Sequence, residues 1–194
     1  MEKVICIFGA SSTWGAWDSE KGGWVNRLRL YLEKRTEDFI EVYNLGVNGN
    51  TTSDLLERFE VEAKARKPDI LIFSIGDNDS ALISLEKFEQ NLIKLIRLAR
   101  KFTKDIVFLG FKSIDESKTN PVPWNKAVSY SNERLSKYNS KLKEITDKED
   151  LMYIEVKNLL DIKKDLEDGL HPNNEGHQKL FLKVKQFLLD KKLI

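Results

Sequence analysis

The sequence predicts an α/β fold in which a five-stranded parallel sheet carries helices on both faces. Short apolar segments rich in Val, Ile, Phe and Tyr alternate with longer segments of helical periodicity. This β-α alternation runs through the whole chain, which is typical of parallel sheets. Several strand segments are apolar almost throughout, as expected of strands covered on both faces.

Each element has its own signal in the sequence. Five segments have the length and composition of buried strands, at residues 4–8, 40–45, 70–75, 106–110 and 152–156. Five others carry apolar residues at helical spacing, at residues 24–34, 52–67, 85–102, 129–146 and 176–189. Two longer connections, 12–23 and 111–128, follow strands. Ligands bind outside the carboxyl ends of parallel strands, so both connections are candidate pocket walls.

The composition is that of an ordinary globular protein and excludes several functional classes. In 194 residues, 32 Lys and Arg balance 31 Asp and Glu, so nothing attracts nucleic acid or an anionic membrane. The single cysteine, Cys6, lies in an apolar strand segment and excludes an internal disulfide or a cysteine-based metal site. No segment has the length of a membrane span. We expect one domain over residues 1–194, located in the cytoplasm.

Four short polar motifs fall at one edge of the predicted sheet. They are FGASSTWG at 8–15, GVNGNT at 46–51, GDND at 76–79 and DGLHPN at 168–173. Each alone has a structural explanation, because Gly, Asn, Asp and Ser are common in turns and helix starts. Together they bring a hydroxyl, a carboxylate, an imidazole and several hydrogen-bond donors to one place.

These residue types are the ones that nucleophilic catalysis by serine requires. Serine becomes nucleophilic when a base removes its proton, and a carboxylate fixes and stabilises the histidine that does so. Ser11 follows the first strand, and Asp168 precedes His171 by three residues. His177, the other histidine, falls in the last predicted helix and is expected to be structural. We therefore predict a catalytic triad of Ser11, His171 and Asp168.

Acyl transfer also needs hydrogen-bond donors for the oxyanion that develops on the substrate. The backbone N–H groups of Ser11 and Gly49 and the side-chain amide of Asn78 are the candidates. Gly49 suits this role because the absence of a Cβ lets a substrate approach the main chain.

The four motifs resemble those of the SGNH hydrolase superfamily, also called the GDSL esterase/lipase family. The resemblance places the nucleophile at Ser11, the oxyanion glycine at Gly49 and the family's asparagine at Asn78. The DGLHPN motif is its most specific part, because it is close to the family's last block. The resemblance implies a three-layer α/β/α sandwich of flavodoxin-like character. It also implies hydrolysis of esters or thioesters without a metal or other cofactor.

Two residues depart from the family pattern. Ala10 stands where the family usually has aspartate, which normally makes hydrogen bonds beside the nucleophile. Asn48 stands where serine is common before the glycine of the second block. Neither change removes the nucleophile, the base or an oxyanion donor, although the loss of the aspartate bears on turn rigidity or substrate choice.

Other functions compete with ester hydrolysis. A non-catalytic ligand-binding relative on the same fold is one alternative, supported by Ala10 alone. A nucleotide or flavin protein is another, but no phosphate-binding glycine motif follows a strand. The Gly-x-Ser-x-Gly elbow of α/β-hydrolases is also missing at Ser11.

The substrate is the least determined part of the prediction. We expect a small-molecule ester with a short acyl group. Carbohydrate O-deacetylase, lysophospholipase and thioesterase activities of the same superfamily remain alternatives. Three tryptophans, Trp14, Trp17 and Trp124, are candidate substrate-binding residues because aromatic faces can line an acyl or a sugar pocket. The sequence leaves the oligomeric state open.

Overall fold

Five parallel strands form one sheet in the computed structural model, which describes residues 2–35 and 39–194. The strands are β1 (Glu2–Gly9), β2 (Phe39–Gly46), β3 (Ile70–Ser74), β4 (Asp105–Leu109) and β5 (Met152–Ile154). Their order across the sheet is β2-β1-β3-β4-β5, with every neighbouring pair parallel. This arrangement is flavodoxin-like.

Helices cover both faces of the sheet. They are α1 (Ser11–Trp14), α2 (Trp24–Leu32), α3 (Thr52–Arg66), α4 (Asp77–Leu82), α5 (Leu85–Ala99), α6 (Glu116–Thr119), α7 (Asn132–Lys148) and α8 (Asn174–Asp190). Helices α3, α5 and α7 pack on one face, and α2 and α8 pack on the other. The predicted three-layer α/β/α sandwich is therefore confirmed.

Strand β1 shows how alternating side chains divide the core. Cys6 and Phe8 point into the layer with α3, whereas Ile5 and Ile7 point into the layer with α2. All four are fully buried, as predicted from their unbroken apolar run. Burial also raises the pKa of the Cys6 thiol to about 12, which suits a core residue.

The ends of several elements differ from the predicted ones because of local capping. The helical spacing predicts that helix α7 begins at 129, but it begins at Asn132 because the Ser131 side chain accepts a hydrogen bond from Arg134 N–H. Helix α3 ends before Lys67, whose φ of 50° is left-handed. The GDND motif begins helix α4 and is therefore more than a turn.

The strand order places a crevice between β1 and β3. The chain leaves β1 toward β2 on one side and later returns to β3 on the other, so the loops after β1 and β3 diverge. Such a switch point is where parallel sheets bind ligands. Ser11 follows β1 and Asn78 follows β3, so both residues lie at this crevice.

Candidate active site

Ser11 begins a short helix directly after β1 in a tightly packed turn. Gly9 is required there because a Cβ would meet Thr13 Oγ1 at 2.0 Å and the Ser74 carbonyl oxygen at 2.4 Å. The Ala10 carbonyl accepts the N–H groups of Thr13 and Trp14, which closes the first helical turn. The Ser11 N–H therefore lies at the free N-terminus of α1.

Ser11, His171 and Asp168 form a continuous hydrogen-bonded line. Ser11 Oγ lies 2.8 Å from His171 Nε2. On the other side of the ring, His171 Nδ1 lies 2.6 Å from Asp168 Oδ2. The His171 and Asp168 side chains are 12% and 13% exposed, so the pair is shielded from solvent but open at one edge. The geometry is that of a base next to a hydroxyl, with a carboxylate behind it.

A tight turn holds Asp168 and His171 together. Leu166 and Pro172 form an antiparallel bridge across the base of the turn. Gly169 has a φ of +88°, and a Cβ there would meet Lys118 Cβ at 2.7 Å. Oδ1 of Asp168 accepts the backbone N–H groups of Leu170 and His171 at 2.9 and 2.8 Å, so its carboxylate is fixed by the same turn.

The environment of Asp168 keeps its carboxylate ionised. Burial acts to raise its pKa, but hydrogen bonds from the His171 ring and backbone outweigh that effect. The pKa of Asp168 is consequently held well below its usual range. An ionised carboxylate at this place can stabilise an imidazolium on His171.

Gly49 and Asn78 face Ser11 across one pocket. Gly49 has a φ of +78°, and its N–H makes no hydrogen bond within the described part of the chain. Asn78 Nδ2 donates one proton to the Asn50 carbonyl oxygen at 2.9 Å, which links the Asn78 side chain to the loop that carries Gly49. Its second proton remains for the pocket.

Tyr130 is a site residue that the sequence reasoning missed. Its hydroxyl donates to Asn78 Oδ1 at 2.7 Å and its side chain lines the same pocket. Tyr130 lies just before α7, some fifty residues after Asn78. No spacing or motif in the sequence connects the two residues, so their contact is evident only from the packing of the loop.

The pocket above Ser11 has a volume of about 430 Å³ and is walled by aromatic rings. Trp17 and Trp124 line it, and the Trp124 ring centre lies 6.0 Å from that of His171. Trp14 does not line this pocket. It ends α1, is 55% exposed, and lies with Trp17 on a neighbouring cleft of about 700 Å³.

A second, small cavity lies beside the nucleophile. It has a volume of about 20 Å³ and touches Ala10, Ser11 and His171. Lys112 also borders it and donates to Asp77 Oδ2 at 2.8 Å, with only 5% of the lysine side chain exposed. The position at which the family usually has an aspartate is thus occupied by a methyl group beside the ion pair of Lys112 and Asp77.

His177 is structural, as predicted from its place in α8. It is fully buried, its Nε2 lies 2.8 Å from the Ala16 carbonyl oxygen, and its Nδ1 accepts the Trp24 N–H. Nδ1 is therefore unprotonated and Nε2 carries the proton. Among the described residues, no group of three His, Cys, Asp or Glu side chains is placed to hold a metal ion.

The sequence profile of the GDSL-like lipase/acylhydrolase family matches residues 7–179. The chain belongs to this family of hydrolases. The match begins near the end of β1 and continues past His171, so it includes all four motifs. It confirms the resemblance that those motifs carry.

The curated relatives that the chain matches include two esterases and an uncharacterized lipoprotein. The chain is 28% identical to a multidomain esterase of Ruminococcus flavefaciens over 82% of this chain and 18% of that protein. It is 24% identical to an acetylxylan esterase of Geobacillus stearothermophilus over 71% and 67% of the two chains. An uncharacterized lipoprotein of Bacillus subtilis is 31% identical over 50% of this chain and 43% of that protein. The chain therefore spans less than half the length of the lipoprotein and of the multidomain esterase.

Solved structures share the fold at low sequence identity. A lipase/acylhydrolase from Enterococcus faecalis superposes with a TM-score of 0.82 at 21% identity, covering 97% and 96% of the two chains. The acetylxylan esterase Axe2 from Geobacillus stearothermophilus gives 0.77 at 21% identity, covering 95% and 93%. None of the helices in the described ranges has the length and apolar character to cross a membrane. The cytoplasmic location stays a prediction.

Proposed function

We propose that the protein is a serine esterase that cleaves short-acyl esters through an acyl-enzyme. The observation that carries the proposal is the line from Ser11 Oγ through His171 to Asp168, with contacts of 2.8 and 2.6 Å. Among the alternatives, a non-catalytic binding protein needs no such line. A nucleophile within hydrogen-bond reach of an oriented base is the arrangement that acyl transfer requires.

In the first step, His171 Nε2 takes the proton of Ser11 Oγ as that oxygen attacks the acyl carbonyl. The imidazolium that forms is stabilised by ionised Asp168. His171 then returns the proton to the departing alkoxide, and the acyl group remains on Ser11. In the second step His171 removes a proton from water, which attacks the acyl carbonyl. His171 then returns this proton to Ser11 Oγ as the bond between Oγ and the acyl group breaks and the acid leaves.

The carbonyl oxygen becomes negative in both steps and needs donors at a fixed place. We assign this role to the N–H groups of Ser11 and Gly49 and the amide of Asn78. All three line the pocket, and neither N–H has a protein acceptor among the described residues. Each such donor typically contributes about 3–4 kcal/mol of transition-state stabilisation.

The pocket favours an ester with a small acyl group and a flat alcohol group. Its aromatic walls, Trp17 and Trp124, are 56% and 57% exposed and leave the pocket open to solvent. Open tryptophan faces also suit sugar rings, and the neighbouring cleft extends this surface past Trp17. Deacetylation of a carbohydrate is therefore the second candidate, in keeping with the acetylxylan esterase among the relatives.

Ser11→Ala tests the nucleophile, and Ser12→Ala is its matched control. Ser12 is the neighbouring serine and borders the small cavity, but its hydroxyl makes no hydrogen bond to His171. Turnover of p-nitrophenyl acetate and labelling by a fluorophosphonate should disappear in Ser11→Ala and persist in Ser12→Ala. Wild-type kcat in Ser11→Ala, or a wild-type protein that neither turns over nor labels, would refute the proposal.

The acyl preference is tested by a rate profile on p-nitrophenyl esters of increasing chain length, run beside acetylated xylo-oligosaccharides. We expect the highest kcat/KM at acetate or propionate. A maximum at long chains would contradict the short-acyl assignment. A preference for acetylated sugars over p-nitrophenyl acetate would favour the carbohydrate candidate.

A further inference from the structure

Trp17 and His171 share one oxygen of the Asp168 carboxylate. The Trp17 indole N–H donates to Oδ2 at 2.9 Å, and His171 Nδ1 lies 2.6 Å from the same atom. The other oxygen, Oδ1, is occupied by the backbone N–H groups of Leu170 and His171. Trp17 is therefore the one side chain besides His171, among the described residues, that donates to this carboxylate.

The backbone of Trp17 is held on both sides by buried groups. Before it, the Ala16 carbonyl accepts from Nε2 of the fully buried His177. After it, the buried Asp18 carboxylate binds Arg27 through contacts of 2.8 and 3.0 Å. Between these anchors Trp17 has a φ of +67°, a conformation that a bulky residue rarely adopts without support from its surroundings.

The same tryptophan also forms a wall of the substrate pocket. Its side chain is 56% exposed, so burial of the ring does not explain its strained backbone. In this conformation the indole N–H contacts Asp168 Oδ2. Trp17 thereby ties the pocket wall to the carboxylate behind the base.

We propose that Trp17 is a positioning residue for the Ser11–His171–Asp168 triad. Its indole N–H holds Asp168 Oδ2 in place and shares the negative charge of that oxygen with His171. This inference rests on the proposed ester hydrolysis for its kinetic consequences, but its structural consequences are measurable without turnover. The indole N–H keeps Oδ2 directed at the imidazole. It also draws part of the negative charge away from the His171 hydrogen bond.

Trp17→Phe removes the N–H and keeps an aromatic wall, so two effects are expected. The less confined carboxylate lowers kcat on p-nitrophenyl acetate by about three- to tenfold, with a smaller change in KM. The full charge of Oδ2 then falls on His171, which stabilises the imidazolium. The acid limb of the kcat/KM profile should consequently move to higher pH by about half a unit.

Other charged groups near the imidazole are unchanged in this variant. Asp77 and Lys112 border the small cavity beside His171 and pair with each other. Glu167 precedes Asp168, and its backbone N–H donates to the His171 carbonyl. A shift in the acid limb therefore reports the lost Trp17 bond.

The decisive readout is the low-field proton resonance of His171 Nδ1–H, followed by NMR against pH. In Trp17→Phe it should move further downfield and titrate at higher pH than in the wild type. Trp14→Phe is the matched control for both NMR measurements, since Trp14 ends the helix just before Trp17, is 55% exposed and makes no bond to Asp168 through its indole.

An unchanged resonance and titration in Trp17→Phe would overturn the proposal and leave Trp17 as a pocket wall only. A wild-type protein without esterase activity would instead refute the proposed function. The resonance would still test the Trp17 bond in that case, so the two failures are distinguishable.

Discussion

Tyr130 donates its hydroxyl proton to Asn78 Oδ1 across 2.7 Å, and both side chains are buried. Burial, together with the nearby charges of Asp77 and Asp168, raises the pKa of Tyr130 to about 12. The hydroxyl therefore keeps its proton near neutral pH and remains a donor. A flipped Asn78 amide would set Oδ1 against the Asn50 carbonyl oxygen, so these two contacts together direct the amide N–H toward the pocket.

Tyr130→Phe should lower kcat on p-nitrophenyl acetate by about tenfold with little change in KM. The loss is smaller than the 10²–10³-fold typical of deleting an oxyanion donor, because Asn78 stays in place but is less well oriented. Tyr138→Phe is the control. Tyr138 is also a buried tyrosine, but it lies away from Ser11 and its hydroxyl donates to the Ile83 carbonyl. Equal kcat values for the two variants would contradict the orienting role.

Gly49→Ala should separate activity from stability. Gly49 has a φ of +78°, and an added Cβ would meet no atom within 4 Å. The variant should fold, with a free energy of unfolding lower by about 1–2 kcal/mol from the left-handed backbone alone. The methyl group would crowd the oxyanion at the N–H, so we expect kcat on p-nitrophenyl acetate to fall by at least tenfold.

Gly22→Ala is the matched control for that experiment. Gly22 has a φ of +70°, and the nearest atom to its added Cβ is Asn26 Nδ2 at 3.6 Å. Urea denaturation should show a similar loss of stability in both variants, whereas only Gly49→Ala should lose activity. Similar kcat in both would mean that the Gly49 N–H plays no part in catalysis.

The sheet and its five longer helices were predictable because their signals are local, whereas the short helices α1, α4 and α6 were not predicted. The unbroken apolar run of β1 and the helical spacing of α5 are each contained in one segment of chain. Exact ends were less predictable, since they depend on caps such as Ser131 and on a left-handed residue such as Lys67. These features need side-chain geometry that periodicity does not contain.

The candidate triad was predictable for a different reason. Asp168 and His171 lie in one turn, and the parallel topology brings that turn to Ser11. Tyr130 and the Trp17 N–H bond were not predictable, because each joins loops far apart in the chain. Nothing in the sequence indicates which way a loop side chain points.

Lys112 and Asp77 form an ion pair beside the small cavity, and removing one partner of this pair should destabilise the protein. Their side chains are 5% and 28% exposed, and the Nζ to Oδ2 distance is 2.8 Å. Lys112→Met leaves a half-shielded carboxylate without its partner, so we expect the free energy of unfolding to fall by about 1–3 kcal/mol. The double variant Lys112→Met/Asp77→Asn should recover most of that loss in urea denaturation. If the double variant lost as much stability as Lys112→Met and Asp77→Asn lose together as single variants, the two residues would not be coupled.

Two buried groups should give the protein's stability opposite responses to acid. Burial, the largest cause, lowers the pKa of His177 from 6.5 to about 4. Burial also raises the pKa of Asp79 from 3.8 to about 6, even though Thr52 donates hydrogen bonds to its carboxylate. As pH falls from 6.5 to about 4, the unfolded chain binds a proton at His177, whereas the folded chain does not. Over nearly the same range the folded chain gains a proton at Asp79 before the unfolded chain does.

The two contributions therefore oppose each other, and single substitutions should expose each one. The Asp79 contribution is fully present below 3.8 and is lost as pH rises through about 6, whereas that of His177 is present above 6.5 and is lost on acidification. When the pH falls from 6.5 to 4, the free energy of unfolding of Asp79→Asn should fall by about 2 kcal/mol relative to that of the wild type. That of His177→Gln should rise by a similar amount relative to the wild type. Urea denaturation at both pH values measures these differences, with Asp69→Asn as an exposed control. Parallel pH profiles in all three variants would show that neither buried group titrates as described.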